Sequence, residues 1–118
     1  MNHQRVEHRE PALNECIDHC TDCHAACLET INHCLSEGAA YTHPDHIALM
    51  AVCADMCATS ANAMLRGASA LTITCSAAAE ICRECADACE EMGGDPVLQN
   101  CAELCRRCAD SCEAMTDS

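Results

Sequence analysis

The residues in this chain that could do chemistry are cysteines, and their spacing is regular. The stretch NCAELCRRCADSCEAM sets Cys101, Cys105, Cys108 and Cys112 four, three and four residues apart, a CxxxCxxCxxxC pattern. The same pattern occurs at Cys16, Cys20, Cys23 and Cys27, with Cys34 seven further on. A variant spaced seven, three and four runs through Cys75, Cys82, Cys85 and Cys89, and Cys53 and Cys57 add one four-apart pair. At about 3.6 residues per turn, such steps return to one face of a helix, so each stretch becomes a stripe of thiols. Two sulfurs one turn apart can share a metal ion, and thiolates select Cu(I), zinc and iron–sulfur clusters over hard cations.

Charge narrows that choice. A Cu(I) ion that replaces one thiol proton leaves a buried site neutral. Zn2+ on four thiolates leaves two negative charges, which are costly to bury repeatedly. The loop-borne CxxC knuckles usual for zinc and the CxxCxxC runs usual for iron–sulfur clusters are absent from the sequence.

The elements that must position these thiols follow from composition. The chain has 118 residues, one domain's worth, with 21 Ala, 15 Cys, no Trp or Phe, and Tyr41 as its single Tyr. Its inward positions are therefore largely Cys and Ala, which bury little area each, so bound metal or subunit packing is expected to add stability. A secreted disulfide scaffold is disfavoured: the cysteine count is odd and helix formers dominate. The opening MNHQRVEHREP has no apolar stretch and no twin arginine. A cytoplasmic location is expected, where thiols stay reduced. The net charge of -13 argues against nucleic acid and anionic lipid as partners. No apolar run is read as long enough to span a membrane.

Breaks in the helical pattern divide the chain. Residues 1–10, with His3 and His8, read as a polar arm or short extra helix. Pro11 opens a helix over about 11–37 that Gly38 stops. Thr42 or His43 caps a second helix over about 44–66, with Pro44 and Asp45 in its first turn. Ser69 is the expected cap of a third over about 70–92, and Asp95-Pro96 restarts the chain as a fourth over about 96–115. Short links between four such helices predict an all-α, antiparallel up-down-up-down four-helix bundle with a Cys-lined core, a single domain over 1–118.

Rotated at about 100° per residue, the helix-one sulfurs share a stripe about 40° wide. His46, Ser60 and Met64 lie on the line of Cys53 and Cys57, so His46 and Met64 become candidate ligands beside the cysteines. An inward His at a helix start can equally face solvent, and a Met can be core filler. Glu103–Arg107 and Arg83–Asp87 are expected as four-apart pairs on wet faces, and His19, His24 and His33 as solvent-facing. Link lengths predict layers running Cys34, His46, Cys89, Cys101; then Cys27, Cys53, Cys82, Cys108; then Cys23, Cys57, Cys112; then Cys20, Cys75, Ser60, Met115; then Cys16 and Met64. Ile47, Ala51, Val52, Ala58 and Leu65 lie outside the thiol stripe and favour contacts between subunits.

Four Cys-lined helices, the CxxxCxxCxxxC spelling, an extra Cys seven on and Ala-rich intervening positions resemble the bacterial copper storage proteins, in particular their cytosolic branch. The resemblance covers Pro11 to Met115. It implies a four-helix bundle whose inward cysteines bind multiple Cu(I) ions, assembled as a homotetramer, with His and Met residues near a bundle mouth helping copper in. Carried over position by position, the candidate metal ligands are Cys16, Cys20, Cys23, Cys27, Cys34, Cys53, Cys57, Cys75, Cys82, Cys85, Cys89, Cys101, Cys105, Cys108 and Cys112, with His46 and Met64. The expected function is non-enzymatic Cu(I) storage or buffering, since no nucleophile–base pair or phosphate-binding glycine loop marks an enzyme. The alternatives are a zinc or cadmium thiolate buffer of metallothionein-like role, or a thiol redox sensor. For the sensor, the CxxC pairs Cys20–Cys23, Cys82–Cys85 and Cys105–Cys108 lie mid-helix, where no helix N-terminus activates them.

Overall fold

The computed structural model describes residues 9–116, so the arm expected over 1–10 lies outside the described residues apart from Arg9 and Glu10. Four helices form: α1 (Pro11–Glu37), α2 (Pro44–Leu65), α3 (Leu71–Glu91) and α4 (Pro96–Ala114), with a 3-10 turn at Ala39–Tyr41 between the first two. Proline opens α1, α2 and α4, where its missing N–H costs nothing and its fixed φ is already helical. At α4 the Asp95 carboxylate accepts from the backbone N–H of Val97 (2.9 Å) and Leu98 (3.2 Å). At α2 it is the His43 ring Nδ1 that accepts, from Asp45 N–H at 3.2 Å. Gly38 ends α1 at φ +101°, a conformation that a side chain would strain, and its N–H returns to the Cys34 carbonyl.

The start of α3 departs from expectation. Ser69 does not cap it, and no side chain does. Ala70, the residue before the helix, is already helical at φ -61° and ψ -9°, so the extended N-cap geometry that aims a Ser hydroxyl at the first turn is never reached. Ser69 instead lends its carbonyl to the Thr72 N–H.

Each helix packs on two neighbours in the ring α1–α2–α3–α4, and the diagonal pairs make no backbone approach. The bundle measures 47 × 25 × 19 Å. Down its axis the space between diagonal helices is filled by side chains, and all 15 cysteines sit there at 0% exposure. Ala54, Ala78, Ala86 and Ala109 fill between them, and the bulkiest fully buried groups are Ile17, Met50, Met64 and Leu98. A buried Leu contributes about 1.5–3 kcal/mol and each CH2-sized group about 0.8 kcal/mol, so a core of this kind is weakly held for its volume.

Polar links between helices supplement it. Of the two expected four-apart pairs, Arg107–Glu103 forms at 2.6 Å. Arg83 turns instead to Glu113 (2.9 Å), and Asp87 is taken by Arg106 (2.8 Å), so these charges tie α3 to α4 rather than brace α3 alone. The histidines flanking the stripe are half-buried links, not free in solvent. His24 Nδ1 donates to the Ala54 carbonyl at 3.0 Å, His33 Nε2 donates to Asp95 at 2.9 Å, and His19 hydrogen-bonds Ser111. They sit at the edges of the thiol stripe, where a neighbouring helix covers a long side chain.

By length and composition α2 does pass for a membrane span, against expectation, with 44% of its apolar window buried within the bundle. Its inner face carries Cys53 and Cys57, and its outer face exposes Val52 and Leu65.

Candidate metal centre

The stripes meet as a column of sulfurs. From α1, Cys23 Sγ lies 3.5 Å from Cys105 of α4 and 4.0 Å from Cys82 of α3. Cys53 and Cys57 of α2 reach the same Cys82 at 3.7 and 3.6 Å. Cys27 contacts Cys101 and Cys105 at 4.0 Å each, and Cys57 meets Cys108 at 3.8 Å. Towards the chain termini, Cys20 contacts Cys112 (3.5 Å) and Cys108 (3.6 Å), and Cys16 reaches Cys112 at 3.8 Å. Sulfurs from different helices thus stand at the separations that ligands of one metal ion adopt. Several groups have all their sulfurs within 4.8 Å of one another: four-thiol sets such as Cys27, Cys85, Cys101 and Cys105, and three-thiol sets such as Cys16, Cys75 and Cys112.

Compared with the layers expected from link lengths, α4 is displaced by roughly one to two turns against α1. Cys27 faces Cys101 and Cys105 rather than Cys108, and Cys23 faces Cys105 rather than Cys112. Cys16, expected beside Met64 alone, joins Cys75 and Cys112. The link Met92–Asp95 is short, so α4 starts close to where α3 ends. The Asp95 bond to His33 then fixes its height against α1. By contrast, Cys53 meets Cys82, and His46 meets Cys89, in the layers expected for them.

No thiol is paired in a disulfide. Packed this closely, neighbouring thiols divide their protons. Cys105 and Cys27 are pushed well above the ordinary thiol range, each first by its contact with Cys101, and burial adds to both. Cys101, Cys23 and Cys53 are held far below that range, each first by the hydrogen bond with Cys105. Cys75, nearer the termini, is pushed up to about 12 by Cys112 and by burial. Such a network is a hydrogen-bonded relay of S–H donors and sulfur acceptors, and a soft cation that displaces the shared protons removes the conflict at its source.

The two ends of the column differ. At the end nearest the first and third links, His46 is 8% exposed and its Nε2 lies 3.6 Å from Cys89 Sγ, while its Nδ1 is buried with no partner among the described residues. Burial lowers its pKa, which keeps the ring neutral and able to bind a cation. Cys34 is fully buried at the same end and is raised by that burial. At the other end Met64 is 1% exposed, and Ser60, fully buried, has no partner for its hydroxyl among the described residues. The role of Cys23, Cys53, Cys27 and Cys105 as the sulfurs shared between neighbouring sets is not readable from spacing. Every cysteine in a stripe looks alike until the register is known.

The family model for copper storage proteins (Csp) matches residues 9–117. This chain belongs to the copper storage protein family. No curated protein sequence matches it. Among solved structures, the Nmul_A1745 protein from Nitrosospira multiformis is 40% identical, with a TM-score of 0.84 over 89% of this chain and 94% of that one. The Cu(I)-bound copper storage protein BsCsp3 is 31% identical, with a TM-score of 0.84 over 89% of this chain and 98% of its own. Apo copper storage protein 3 from Bacillus subtilis is 31% identical, with a TM-score of 0.77 over 87% and 97%. The bundle architecture is therefore shared with these relatives.

Proposed function

We propose that this protein stores copper, holding multiple Cu(I) ions as thiolate complexes along the axis of its bundle. The observation that carries the reading is the column itself: 15 cysteines at 0% exposure, unpaired by disulfides, whose sulfurs approach across all four helices to 3.5–4.0 Å. Membership of the copper storage family and the likeness to a Cu(I)-bound relative support it. Fifteen thiols far exceed what one structural or catalytic ion needs, and near one Cu(I) per thiolate the filled core stays neutral.

In this reading all 15 cysteines are ligands, and His46 and Met64 bind copper transiently at opposite ends of the column. Support for His46 is its neutral, partly unsatisfied ring beside Cys89, and for Met64 its buried thioether on the line of the α2 thiols. Copper passes from sulfur to sulfur by ligand exchange, and no residue has a catalytic task. The protein works in the cytoplasm, where its thiols stay reduced, without nucleic-acid or membrane partners. It assembles as a homotetramer, in which the exposed apolar groups Leu28 and Leu35 of α1 and Val52 of α2 are covered by other copies.

Anaerobic titration of the reduced protein with Cu(I) against a competing chelator is the test. Tight uptake of many ions per chain is expected. Saturation at a single ion, or none, rules storage out.

A further inference from the structure

Three of the four-thiol sets are not independent of one another. Cys23, Cys53, Cys57 and Cys82 form the first, Cys23, Cys27, Cys53 and Cys105 the second, and Cys27, Cys85, Cys101 and Cys105 the third. The first and second share Cys23 and Cys53, and the second and third share Cys27 and Cys105. With metal–sulfur bonds of about 2.3 Å, a tetrahedral ion needs sulfurs about 3.8 Å apart. The contacts in these sets run from 3.5 Å (Cys23–Cys105) through 3.7 Å (Cys53–Cys82) to 4.0 Å (Cys27–Cys101). A flat square with edges of about 3.8 Å would have diagonals of about 5.4 Å. All sulfurs in each set lie within 4.8 Å of one another, so the sets are tetrahedral rather than planar.

We propose that the middle of this core is also a site for soft divalent cations, Zn2+ or Cd2+, bound as a chain of three edge-sharing four-thiolate tetrahedra. Sharing answers the electrostatic objection to burying such ions. Three divalent cations on three separate sets of four thiolates would leave six negative charges in the bundle. On these eight shared thiolates they leave two, spread over the length of the chain. The shared sulfurs, Cys23, Cys53, Cys27 and Cys105, are the bridges, and the outer pairs Cys57–Cys82 and Cys85–Cys101 are terminal ligands. Towards the termini the column offers three-thiol sets, among them Cys16, Cys75, Cys112 and Cys20, Cys108, Cys112. These suit trigonal Cu(I) and leave a tetrahedral divalent ion one ligand short. The linked four-thiol sets thus place divalent binding in the middle, where it would buffer zinc or cadmium while copper is scarce. Each ion enters as thiol protons leave, eight protons for three ions.

The inference stands apart from the Cu(I) reading, and one preparation tests both. Reduced, copper-free protein is titrated anaerobically with 113Cd2+ and followed by cadmium NMR and by proton release. Three four-thiolate resonances are expected, the middle one coupled to both others through the shared sulfurs. Cys85→Ser should remove one end and leave two mutually coupled resonances. Fewer than three four-thiolate resonances in the wild type, or three without mutual coupling, overturn the proposal. A Cu(I) titration of the same sample reads storage separately. Full copper capacity with no coupled cadmium chain would reject this inference alone.

Discussion

Ser60 interrupts the α2 thiol line, and replacing it gives a test of how the core works. Its hydroxyl is fully buried and has no hydrogen-bond partner among the described residues. A buried unpaired hydroxyl costs about 1–3 kcal/mol, and Ser is also a poorer helix former than Ala. Ser60→Ala should therefore stabilise the copper-free protein by about 1–2 kcal/mol once the small lost packing is counted, raising the melting midpoint by roughly 3–8 °C for a chain of this size. Ser60→Cys should gain a similar amount, less any strain from the larger sulfur, and should add about one Cu(I) per chain because the new thiol continues the line of Cys53 and Cys57. Thermal melts followed by circular dichroism on reduced protein read the first effect, and chelator-competed Cu(I) titration reads the second. If Ser60→Ala lowers the midpoint, the hydroxyl is satisfied and the core is not as dry as inferred. If Ser60→Cys leaves copper capacity unchanged, an inward thiol in this column is not sufficient to bind.

Three further outcomes follow from the geometry. Leu98→Ala, at a fully buried position in the first turn of α4, should cost about 2–4 kcal/mol in denaturant unfolding, yet leave the number of Cu(I) bound unchanged because no sulfur is lost. The Asp95 carboxyl is held below its ordinary value of 3.8, first by its hydrogen bond from His33. The stability it adds is complete above that value and disappears as pH falls through the lowered one. Asp95→Asn, which keeps a capping side chain, should be less stable than wild type at pH 5–7 and equal to it at the acid limit, and pH-dependent melts that never converge would refute this. Leu28→Lys combined with Val52→Lys, at positions 47% and 49% exposed, should abolish assembly in sedimentation velocity without changing copper capacity per chain.

Phase along a helix is a local property, and so the sequence by itself determined much here. Steps of three, four and seven fix which side of each helix carries sulfur, and turn signals such as Pro11, Gly38, Pro44 and Asp95-Pro96 mark the breaks between helices. The inward position of every cysteine follows from those two facts, as does the softness of the metal. The height of one helix against another is not local. It depends on how the links close and on contacts such as His33–Asp95, between residues 62 apart in sequence, which spacing cannot reveal. That height moved α4 by roughly one to two turns, brought Cys16 to Cys75 and Cys112, and made Cys23, Cys53, Cys27 and Cys105 the sulfurs that neighbouring sets share. The same holds for the charges. Arg83 could have paired with Asp87 on its own helix, but α4 brought Glu113 closer and gave Asp87 to Arg106. Sequence settled what each helix offers; tertiary structure decided which sulfurs meet, because coordination is a matter of a few ångströms between residues far apart in the chain.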